Sequence, residues 1–376
     1  MSKLKSYEIL SNGSTVWTWV VRILFLFIIV LIFLFSIDLM IQSLAVIGRG
    51  AVKDLVGAAE VPFIALFIGL LSTALIQSSS TVTSMTVAIV ASGTISFTSG
   101  VFIIMGANIG TTLTSNIVAL GFITDRSAFR KAVSAATVHD FFNILTTIVI
   151  FPLEYYYQFL SRLAIYLTGL FGIQPSVSGD LPVNLGIFFL NPLTEKIVAL
   201  IENKWMVLFV SFLLLFLSIK LFSNFSYKLI IGESKDKFKH YIFSNPLKSF
   251  TWGVLFTGAV QSSSITTSLI VPIVATRKVS LSDAFPFIMG ANMGTTITAL
   301  LAGLLKSEAA ISMAMVHVLF NLIGVLIFLP FSSLRSIPEY FAEKLGILAS
   351  NRRIVGFFYI LITFFIIPFI LIYLSR

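Results

Sequence analysis

The sequence contains no cysteine and little charge. The absence of Cys among 376 residues excludes disulfide frameworks, thiolate nucleophiles and zinc or iron–sulfur centres bound by Cys. Only 11% of the residues are charged, against about 25% in soluble globular domains, and 57% are apolar. Disorder and an ordinary soluble enzyme are therefore excluded. The sequence predicts an all-α polytopic membrane protein.

Basic residues exceed acidic ones, which gives a net charge of +9. The 25 Lys and Arg residues lie between apolar runs and form no stripe, so we expect a lipid bilayer as partner and no nucleic acid. The first apolar run, residues 16–47, is longer than the ~7–15 residues of a signal-peptide core. It predicts a transmembrane helix within an N-terminal segment, residues 1–59.

The chain contains a long internal repeat. Residues 77–120 and 261–304 align without a gap and share 21 identities in 44 positions. The shared words are QSSS, IMGAN and GTT, and the match resumes at His139 and, in the second copy, at His317. A repeat of this length indicates a duplicated half of the protein and not a solenoid.

Both halves predict the same series of segments. Two apolar arms, each shorter than the roughly 20 residues of a span, flank QSSS and predict a re-entrant helical hairpin with QSSS at its tip. The word G-A-N-x-G-T-T then predicts a broken transmembrane helix. Three further segments follow in each half: first a span that contains the histidine, then an amphipathic stretch, and last a hydrophobic span. The arms are 60–76 and 85–91, or 250–260 and 269–276; the amphipathic stretches are 155–171 and 332–350, and the hydrophobic spans are 205–222 and 354–374.

Three crossings in each half would turn the second half upside down relative to the first. With a cytoplasmic N-terminus, the predicted inside loops contain 18 of the 25 Lys and Arg residues, as the positive-inside rule requires. We therefore expect two inverted-topology repeats in a multi-pass protein of the cell membrane. The predicted boundaries are 60–171 for repeat 1, 172–203 for a Pro-containing exterior linker, 204–222 for the helix that completes repeat 1, 223–249 for a basic cytoplasmic loop and 250–376 for repeat 2.

The hairpin tips concentrate polar side chains at membrane depth. Hydroxyls and the N–H groups at helix N-termini suit an anion such as phosphate, sulfate or a carboxylate. No Lys or Arg lies between residues 61 and 120, so a multivalent anion requires companion cations. Neutral oxygen ligands suit sodium, and the tips lack the carboxylates of a divalent-metal site. The candidate sodium ligands from the broken helices are Asn108, Thr111, Thr112 and Asn292.

Asp140 is an acidic residue inside an apolar span, and the second half has Val318 in its place. An intramembrane carboxylate is a candidate functional group. Three roles are open: cation binding, proton transfer, and pairing with His139 or another helix. Asn143 and Asn321 lie four residues after the histidines, on the same helix face, and both ligand contact and an interhelical hydrogen bond are open for them.

The words QSSS, GANIGTT and DRSAFRKAVSAATVHDFFN, the last at residues 125–143, closely resemble the type II sodium-dependent phosphate cotransporters. The resemblance extends over residues 61–330. It implies a symporter that takes up inorganic phosphate with sodium by alternating access, with sodium as coupling ion and no cofactor. The short predicted linker implies a bacterial member.

The resemblance also implies site residues. One sodium would be bound by Gln261, Ser262, Thr295 and Thr298. Electrogenic members of the family carry an acidic residue in the VHD word, where electroneutral members have Gly. Asp140 therefore implies the electrogenic type, with an additional sodium near Asp140, helped by Asn143 and Asp125. The implied phosphate ligands are Gln77, Ser78, Ser79, Ser80, Thr81, Gln261, Ser262, Ser263 and Ser264.

Three other functions are compatible with parts of the sequence. A sodium-coupled carrier of sulfate or a dicarboxylate would use the same hydroxyl-lined tips. An intramembrane serine hydrolase needs a base in hydrogen-bond reach of its nucleophile, and the duplication of every serine does not fit one catalytic centre, so we expect no enzyme. A passive channel needs a continuous polar pore, which short hairpins do not provide.

Overall fold

The computed structural model describes residues 16–51, 59–170, 187–230, 242–303 and 307–374. Regular secondary structure within these ranges is entirely helical. We number the helices α1 Val16–Ala51, α2 Pro62–Ile76, α3 Ser79–Ala91, α4 Phe97–Gly110, α5 Leu113–Leu120, α6 Arg126–Tyr157, α7 Phe159–Leu170, α8 Ile187–Leu200, α9 Lys204–Ile230, α10 Pro246–Val260, α11 Ser263–Ala275, α12 Leu281–Gly294, α13 Thr296–Gly303, α14 Glu308–Phe328, α15 Ser332–Asn351, α16 Ile354–Leu361 and α17 Ile367–Leu374, with a π-helical segment, Ile362–Ile366, before α17.

Six described helical stretches are long and apolar enough to cross a membrane. Large apolar side chains such as Ile23, Phe209 and Phe369 are 64%, 61% and 65% exposed, as expected where the surrounding solvent is lipid. The predicted all-α polytopic membrane protein with an N-terminal transmembrane helix is confirmed, whereas the inverted relation of the repeats stays a prediction. The six stretches are Val20–Leu44, Phe97–Leu120, Arg126–Tyr157, Leu281–Gly303, Glu308–Phe328 and Ile354–Leu374.

Each repeat begins with a helical hairpin, α2–α3 in the first and α10–α11 in the second. The chain reverses direction over two residues, Gln77 and Ser78 in one hairpin and Gln261 and Ser262 in the other. The second arms start at Ser79 and Ser263 and not at the predicted 85 and 269. The prediction was wrong here because serines act as helix N-caps, so a Ser-rich word can open a helix as well as form a loop.

The two predicted breaks lie at the Gly-Thr-Thr words. Helix α4 ends at Gly110 and α5 begins at Leu113, and α12 ends at Gly294 with α13 beginning at Thr296. Each long stretch is therefore two half-helices, as the sequence predicts. The N-terminal half-helix of each pair packs against the first arm of its own hairpin.

Pairs of glycines allow this close packing. A Cβ on Gly106 would lie 1.8 Å from the carbonyl oxygen of Leu66, and one on Gly69 would lie 2.0 Å from that of Ile103. The second repeat has the same arrangement, where a Cβ on Gly290 would lie 2.0 Å from the carbonyl oxygen of Phe250. Small residues let the backbones of membrane helices approach closely, so each hairpin is held tightly against its broken helix.

The predicted amphipathic stretch at 155–171 begins with a sharp turn at Gln158. Helix α6 continues to Tyr157, Gln158 adopts φ 50° and ψ 43°, and α7 follows. The turn is stabilised by Glu154, which is fully buried. Its carboxylate accepts hydrogen bonds from the backbone N–H groups of Leu160 at 2.7 Å and Ser161 at 3.2 Å, and from the Ser161 hydroxyl. This buried acid therefore caps the N-terminus of α7.

The predicted linker at 172–203 is partly helical. Its residues 172–186 lie outside the described residues, whereas residues 187–200 form α8 with Pro192 inside the helix. Val198 packs in an apolar cluster with Leu39 of α1 and Val207 of α9. Such tertiary contacts override the local preference of Pro for loops, and the exterior position of this linker stays a prediction. Helix α9 extends eight residues beyond the predicted end at 222, so the predicted basic loop begins as helix.

Two apolar clusters form most of the core, and both contain helices of both repeats. The first includes Phe102 of α4 and Phe320 of α14. In the second, the ring of Phe142 in α6 lies 6.0 Å from that of Phe285 in α12. Because the repeats share these clusters, polar residues from both halves are brought together inside the protein.

Candidate functional site

The two hairpin tips have nearly identical backbone geometry. Gln77 adopts φ 57° and ψ 30°, and Gln261 adopts φ 56° and ψ 28°, both in the left-handed region. In each case the backbone N–H still closes the last helical turn, at 2.7 Å from the Thr73 carbonyl and 2.6 Å from the Thr257 carbonyl. This left-handed residue ends the first arm and lets the chain reverse within two residues.

A serine caps the second arm of each hairpin. The hydroxyl of Ser78 accepts a hydrogen bond from the Thr81 N–H at 3.2 Å, and that of Ser262 accepts one from the Ile265 N–H at 3.3 Å. Both serines are extended, with φ −149°. The following residues, Ser79 and Ser263, are therefore the first residues of helices whose positive dipole ends lie at the tips.

Both Gln-Ser-Ser-Ser words line a single cavity of about 260 Å³, which is many times the space that one water molecule requires. Among the described residues, none of the side chains that line it carries a charge. Phe216 and Ile219 of α9 contribute apolar wall. The predicted phosphate ligands are thus all brought together. The full lining is Ile76, Gln77, Ser78, Ser79, Ser80, Thr81, Phe216, Ile219, Gln261, Ser262, Ser263, Ser264 and Ile265.

The two glutamines differ in their surroundings. Gln261 is buried; its amide donates to the Gly258 carbonyl and its side-chain oxygen accepts from the Thr298 hydroxyl. Gln77 is exposed, and the hydroxyl of Thr114, the repeat equivalent of Thr298, has no hydrogen-bond partner among the described residues. The predicted sodium ligands Gln261 and Thr298 therefore meet, whereas their counterparts in the first repeat do not.

Thr295 also belongs to the second tip region. Its hydroxyl donates to the Asn292 carbonyl, and its own carbonyl accepts from the Thr298 N–H at 3.2 Å. Oxygen atoms of Thr295 and Thr298 thus lie at the break between α12 and α13, and Thr298 contacts Gln261 of the hairpin tip. Neutral oxygens of this kind suit sodium.

Four asparagines and a histidine form a buried network between the repeats. Asn292 donates to the side-chain oxygens of Asn143 at 2.9 Å and Asn321 at 2.7 Å. Asn143 donates to the Asn108 carbonyl at 2.7 Å, and His317 Nε2 lies 3.3 Å from Asn108 Oδ1. The interhelical hydrogen bonds that the sequence left open for Asn143 and Asn321 are therefore present, and they engage both polar atoms of the Asn143 side chain.

Asp140 is fully buried and bonded on one oxygen. Its Oδ2 accepts a hydrogen bond from Asn116 Nδ2 at 2.9 Å and one from the Tyr359 hydroxyl at 2.7 Å. Its Oδ1 has no hydrogen-bond partner among the described residues. The carboxylate therefore pairs with neutral donors of α5 and α16 and not with the neighbouring His139, and one oxygen is available to a ligand.

Asp125 does not share a site with Asp140. It lies at the N-cap of α6, where its exposed carboxylate accepts from the N–H groups of Ser127 at 2.8 Å and Ala128 at 3.0 Å. Hydrogen bonds from the backbone of Ala128 and Ser127 lower the pKa of this carboxyl group. Fifteen residues of helix separate it from Asp140, about 22 Å at 1.5 Å per residue. The proposal of Asp125 as a sodium ligand is withdrawn, and its role is helix capping.

Thr111 and Thr112 bond to their own helix. The hydroxyl of Thr111 donates to the Ala107 carbonyl at 2.9 Å and that of Thr112 to the Ile109 carbonyl at 3.0 Å. Both side chains are buried. Their oxygens keep free lone pairs, so they stay candidate ligands on the side of the break near Asp140 and Asn116.

The sequence profile of the Na⁺/Pi-cotransporter family matches residues 32–174 and 204–349, which is well over half of the chain. The chain belongs to this family. The two matched segments contain both hairpin tips and both breaks. The match ends before α16, so Tyr359 lies outside it.

Curated relatives of the chain are named sodium-dependent phosphate transport proteins. The chain is 30% identical over 386 residues to sodium-dependent phosphate transport protein 2A of Rattus norvegicus, an alignment that covers 82% of this chain and 60% of the relative. It is 27% identical over 432 residues to protein 2B of Homo sapiens, with 89% of this chain and 62% of the relative covered. The chain thus spans about three fifths of the length of these relatives. No solved structure gives a significant match.

Sequence reasoning missed several polar contacts of this Na⁺/Pi-cotransporter family member. Ser115 of α5 lies 2.8 Å from Thr267 of α11, hydroxyl to hydroxyl, and so joins the repeats. Asn116 and Tyr359 bind Asp140. An Asn inside an apolar helix is a detectable signal for Asn116. Tyr359 gave none, because a Tyr in a terminal hydrophobic span is ordinary in membrane proteins.

Proposed function

We propose that this protein is a sodium-coupled symporter that imports inorganic phosphate across the cell membrane by alternating access. The observation that carries the proposal is the meeting of the two Gln-Ser-Ser-Ser words in one cavity whose described lining includes no charged side chain. Family membership and the names of the relatives support it. Sodium is a coupling ion here, and we propose no cofactor and no enzymatic activity.

The tips supply donors for a tetrahedral oxyanion. Two helix N-termini, at Ser79 and Ser263, lie at the cavity and provide backbone N–H groups with partial positive charge. The serine hydroxyls and the Gln77 amide add further donors. Each oxygen of a phosphate ion therefore finds neutral donors, and the selectivity of the site depends on their geometry and not on a fixed cation.

Sodium would compensate the charge of the bound anion. A multivalent anion is costly in a low-dielectric cavity without cations. Gln261 lines the cavity and also contacts Thr298, so a sodium ion on Gln261, Ser262, Thr295 and Thr298 would lie beside the phosphate. Sodium binding would then favour phosphate binding, and by linkage phosphate would favour sodium to the same extent.

A further sodium at Asp140 would make transport electrogenic. The free Oδ1 of this buried carboxylate supports cation binding among the three roles open for it. An unpartnered buried carboxylate oxygen is otherwise unfavourable by several kcal/mol in the membrane. The net charge moved with each phosphate would thus be more positive by one elementary charge than in a carrier that lacks Asp140.

Contacts at one end of the molecule support the proposed topology. Arg277, at the end of the second hairpin, donates to Ser127 at 2.7 Å, and Arg126 donates to Asn351. Arg353 lies 3.4 Å from the Thr124 carbonyl. All of these residues fall in segments predicted to be cytoplasmic by charge counting. We propose that this end faces the cytoplasm, that the N-terminus lies on the same side, and that the repeats are inverted.

The test is uptake of labelled phosphate by proteoliposomes that contain the purified protein. An inward sodium gradient should drive uptake, a potassium gradient should not, and excess arsenate should compete because it is also a tetrahedral oxyanion. Uptake that is inhibited by succinate or sulfate and indifferent to arsenate would instead identify a carrier of those anions. Accumulation that follows the phosphate gradient alone, independent of sodium, would identify a passive channel.

A further inference from the structure

The carboxylate of Asp140 is held asymmetrically. Two neutral donors, Asn116 and the phenol of Tyr359, bond to Oδ2, at 2.9 Å and 2.7 Å, while Oδ1 has no partner among the described residues. Buried polar atoms are nearly always hydrogen-bonded. Among the described residues, Oδ2 thus accepts two hydrogen bonds, and Oδ1 is the oxygen that is open to a cation.

The phenol comes from a helix that the family match does not include. The match ends at residue 349, and Tyr359 lies in α16, 219 residues along the chain from Asp140. The ring is fixed by aromatic neighbours, with its centroid 6.4 Å from that of Phe141 and 6.4 Å from that of Phe364. The hydroxyl therefore reaches Asp140 from a well-packed ring and not from a mobile side chain.

A π-helical segment follows Tyr359. Residues Ile362–Ile366 form i to i+5 hydrogen bonds, which insert one extra residue into the terminal helix. Phe364 within this segment is fully buried, and it makes an edge contact with the Tyr359 ring five residues earlier. A regular α-helix would place residues five apart on different faces. The π segment thus supports the ring whose hydroxyl contacts Asp140, and such segments occur frequently at functional sites.

We propose that Tyr359 is a positioning residue for sodium at Asp140, and that the terminal transmembrane helix is part of the cation site. This inference rests on the proposed sodium-coupled function. The phenol and Asn116 fix Oδ2, so that Oδ1 is presented to the ion with little loss of side-chain freedom on binding. Ligating carboxylates generally depend on such hydrogen-bonded partners for metal affinity.

The variant Tyr359→Phe removes the hydroxyl and keeps the ring contacts. Tyr373→Phe is the matched control, because Tyr373 lies on the same terminal segment, is 68% exposed and stacks on Phe369. Two quantities are measured: the sodium concentration that gives half-maximal thermal stabilisation of the purified protein in detergent, and the charge moved per phosphate in proteoliposomes at limiting sodium. We expect Tyr359→Phe to raise the sodium midpoint about tenfold and to lower the charge per phosphate, and Tyr373→Phe to match the wild type.

The same substitution in an Asp140→Gly background separates positioning from a general structural role. The sodium midpoint of the double variant should equal that of Asp140→Gly alone, because the phenol then has no carboxylate to orient. An equal shift with and without Asp140, or no shift in either, would overturn the proposal. If Tyr359→Phe does not fold, Asn116→Ala removes the other donor and must give the same pattern; a wild-type midpoint in that variant would also overturn it.

Failure of the function itself has a different signature. Wild-type protein that shows neither sodium-dependent stabilisation nor sodium-driven phosphate uptake would overturn the proposed function, and this inference with it. Wild-type protein that shows both, together with a Tyr359→Phe variant indistinguishable from it, would overturn only the role of Tyr359.

Discussion

Gln77 and Gln261 adopt the same left-handed backbone conformation although they lie 184 residues apart, with φ values of 57° and 56°. A non-glycine residue in this region costs on the order of 1–3 kcal/mol. Glycine would meet the same backbone requirement without that cost. The presence of glutamine at both tips therefore points to a use for the carboxamide itself.

Replacing either glutamine by glycine should separate the role of the left-handed backbone from the role of the carboxamide in phosphate binding. Gln77→Gly should fold with unchanged or slightly higher thermal stability, because glycine adopts positive φ freely, whereas in Gln261→Gly the same gain is offset by loss of the hydrogen bonds to Gly258 and Thr298. Both variants should bind phosphate at least about tenfold more weakly, since each lost hydrogen bond to a charged ligand is worth about 1.5–3 kcal/mol. Thermal unfolding in detergent and the phosphate dependence of uptake measure the two effects.

Gln158 supplies the control for this experiment. It is a third glutamine with positive φ, at 50°, but it is exposed at the turn between α6 and α7 and does not line the cavity. Gln158→Gly should leave phosphate uptake unchanged. Equal losses of phosphate affinity in all three variants would show that the tip carboxamides have no specific role.

The glycine crossings, where the first arm of each hairpin packs on its half-helix at Gly69 and Gly106 or at Gly253 and Gly290, should tolerate no side chain. Gly106→Ala places a methyl group 1.8 Å from the Leu66 carbonyl oxygen, so the helices must separate, and we expect a loss of about 3 kcal/mol in the free energy of unfolding. Gly169→Ala is the control, because a Cβ there meets nothing within 4 Å. It should be neutral or stabilising by up to about 1 kcal/mol. Comparable unfolding temperatures for the two variants would contradict the close crossing.

The buried carboxylate of Glu154 should be important for stability and not for transport. Glu154→Ala leaves two backbone N–H groups and the Ser161 hydroxyl without their acceptor, which should lower the free energy of unfolding by about 1–3 kcal/mol. Glu154→Gln keeps an acceptor oxygen and should lose less. The exposed Glu343 gives the control variant Glu343→Gln. A sodium midpoint that shifts in Glu154→Gln protein of normal stability would assign this residue a part in ion binding.

The contact between Ser115 and Thr267 should couple the repeats. The Thr267 hydroxyl donates to the Ser263 carbonyl at 2.8 Å, so the Ser115 hydroxyl must be the donor in their 2.8 Å contact. A double-mutant cycle with Ser115→Ala and Thr267→Val should give a coupling of about 0.6 kcal/mol, the average for hydrogen bonds between membrane helices. Additive losses of unfolding temperature would mean that the hydroxyls do not interact.

Asp140 should determine the charge moved per transported phosphate. Asp140→Gly removes the carboxylate of the proposed additional sodium, so the charge per phosphate should fall by about one elementary charge while uptake persists. Simultaneous current and tracer recordings on proteoliposomes measure this ratio. Asp38→Asn is the control, because Asp38 is a buried acid of α1 bonded to Thr194 of α8. An unchanged ratio in Asp140→Gly would remove Asp140 from the sodium path.

Much of the fold and of the candidate site is encoded in local signals. Both Gln-Ser-Ser-Ser words are predicted to lie at hairpin tips, because the apolar arms that flank them are too short to span a bilayer and must turn back. The Gly-Thr-Thr words that follow Asn108 and Asn292 marked both breaks. These segments lie in a lipid bilayer, where a polar side chain or a break in a helix needs a specific reason, so such residues predict the hairpin tips and the breaks.

Other features depend on tertiary contacts that no local pattern reveals. The helix around Pro192 forms because α1 and α9 pack against it, and the partner of Asp140 on α16 is set by packing across more than 200 residues. Asp125 was misassigned for a different reason: the family resemblance implied a part in the Asp140 site, whereas fifteen residues of helix separate the two carboxylates.

The glycine crossings also determine which parts can shift relative to one another during a transport cycle. At Gly69 and Gly106, and again at Gly253 and Gly290, two backbones touch without intervening side chains, so the first arm of each hairpin and its half-helix must travel as one piece. Displacement is left to the seam between the two halves. That seam contains hydroxyl and carboxamide pairs beside the shared apolar clusters, and water can replace the polar pairs one at a time as the passage opens on either side.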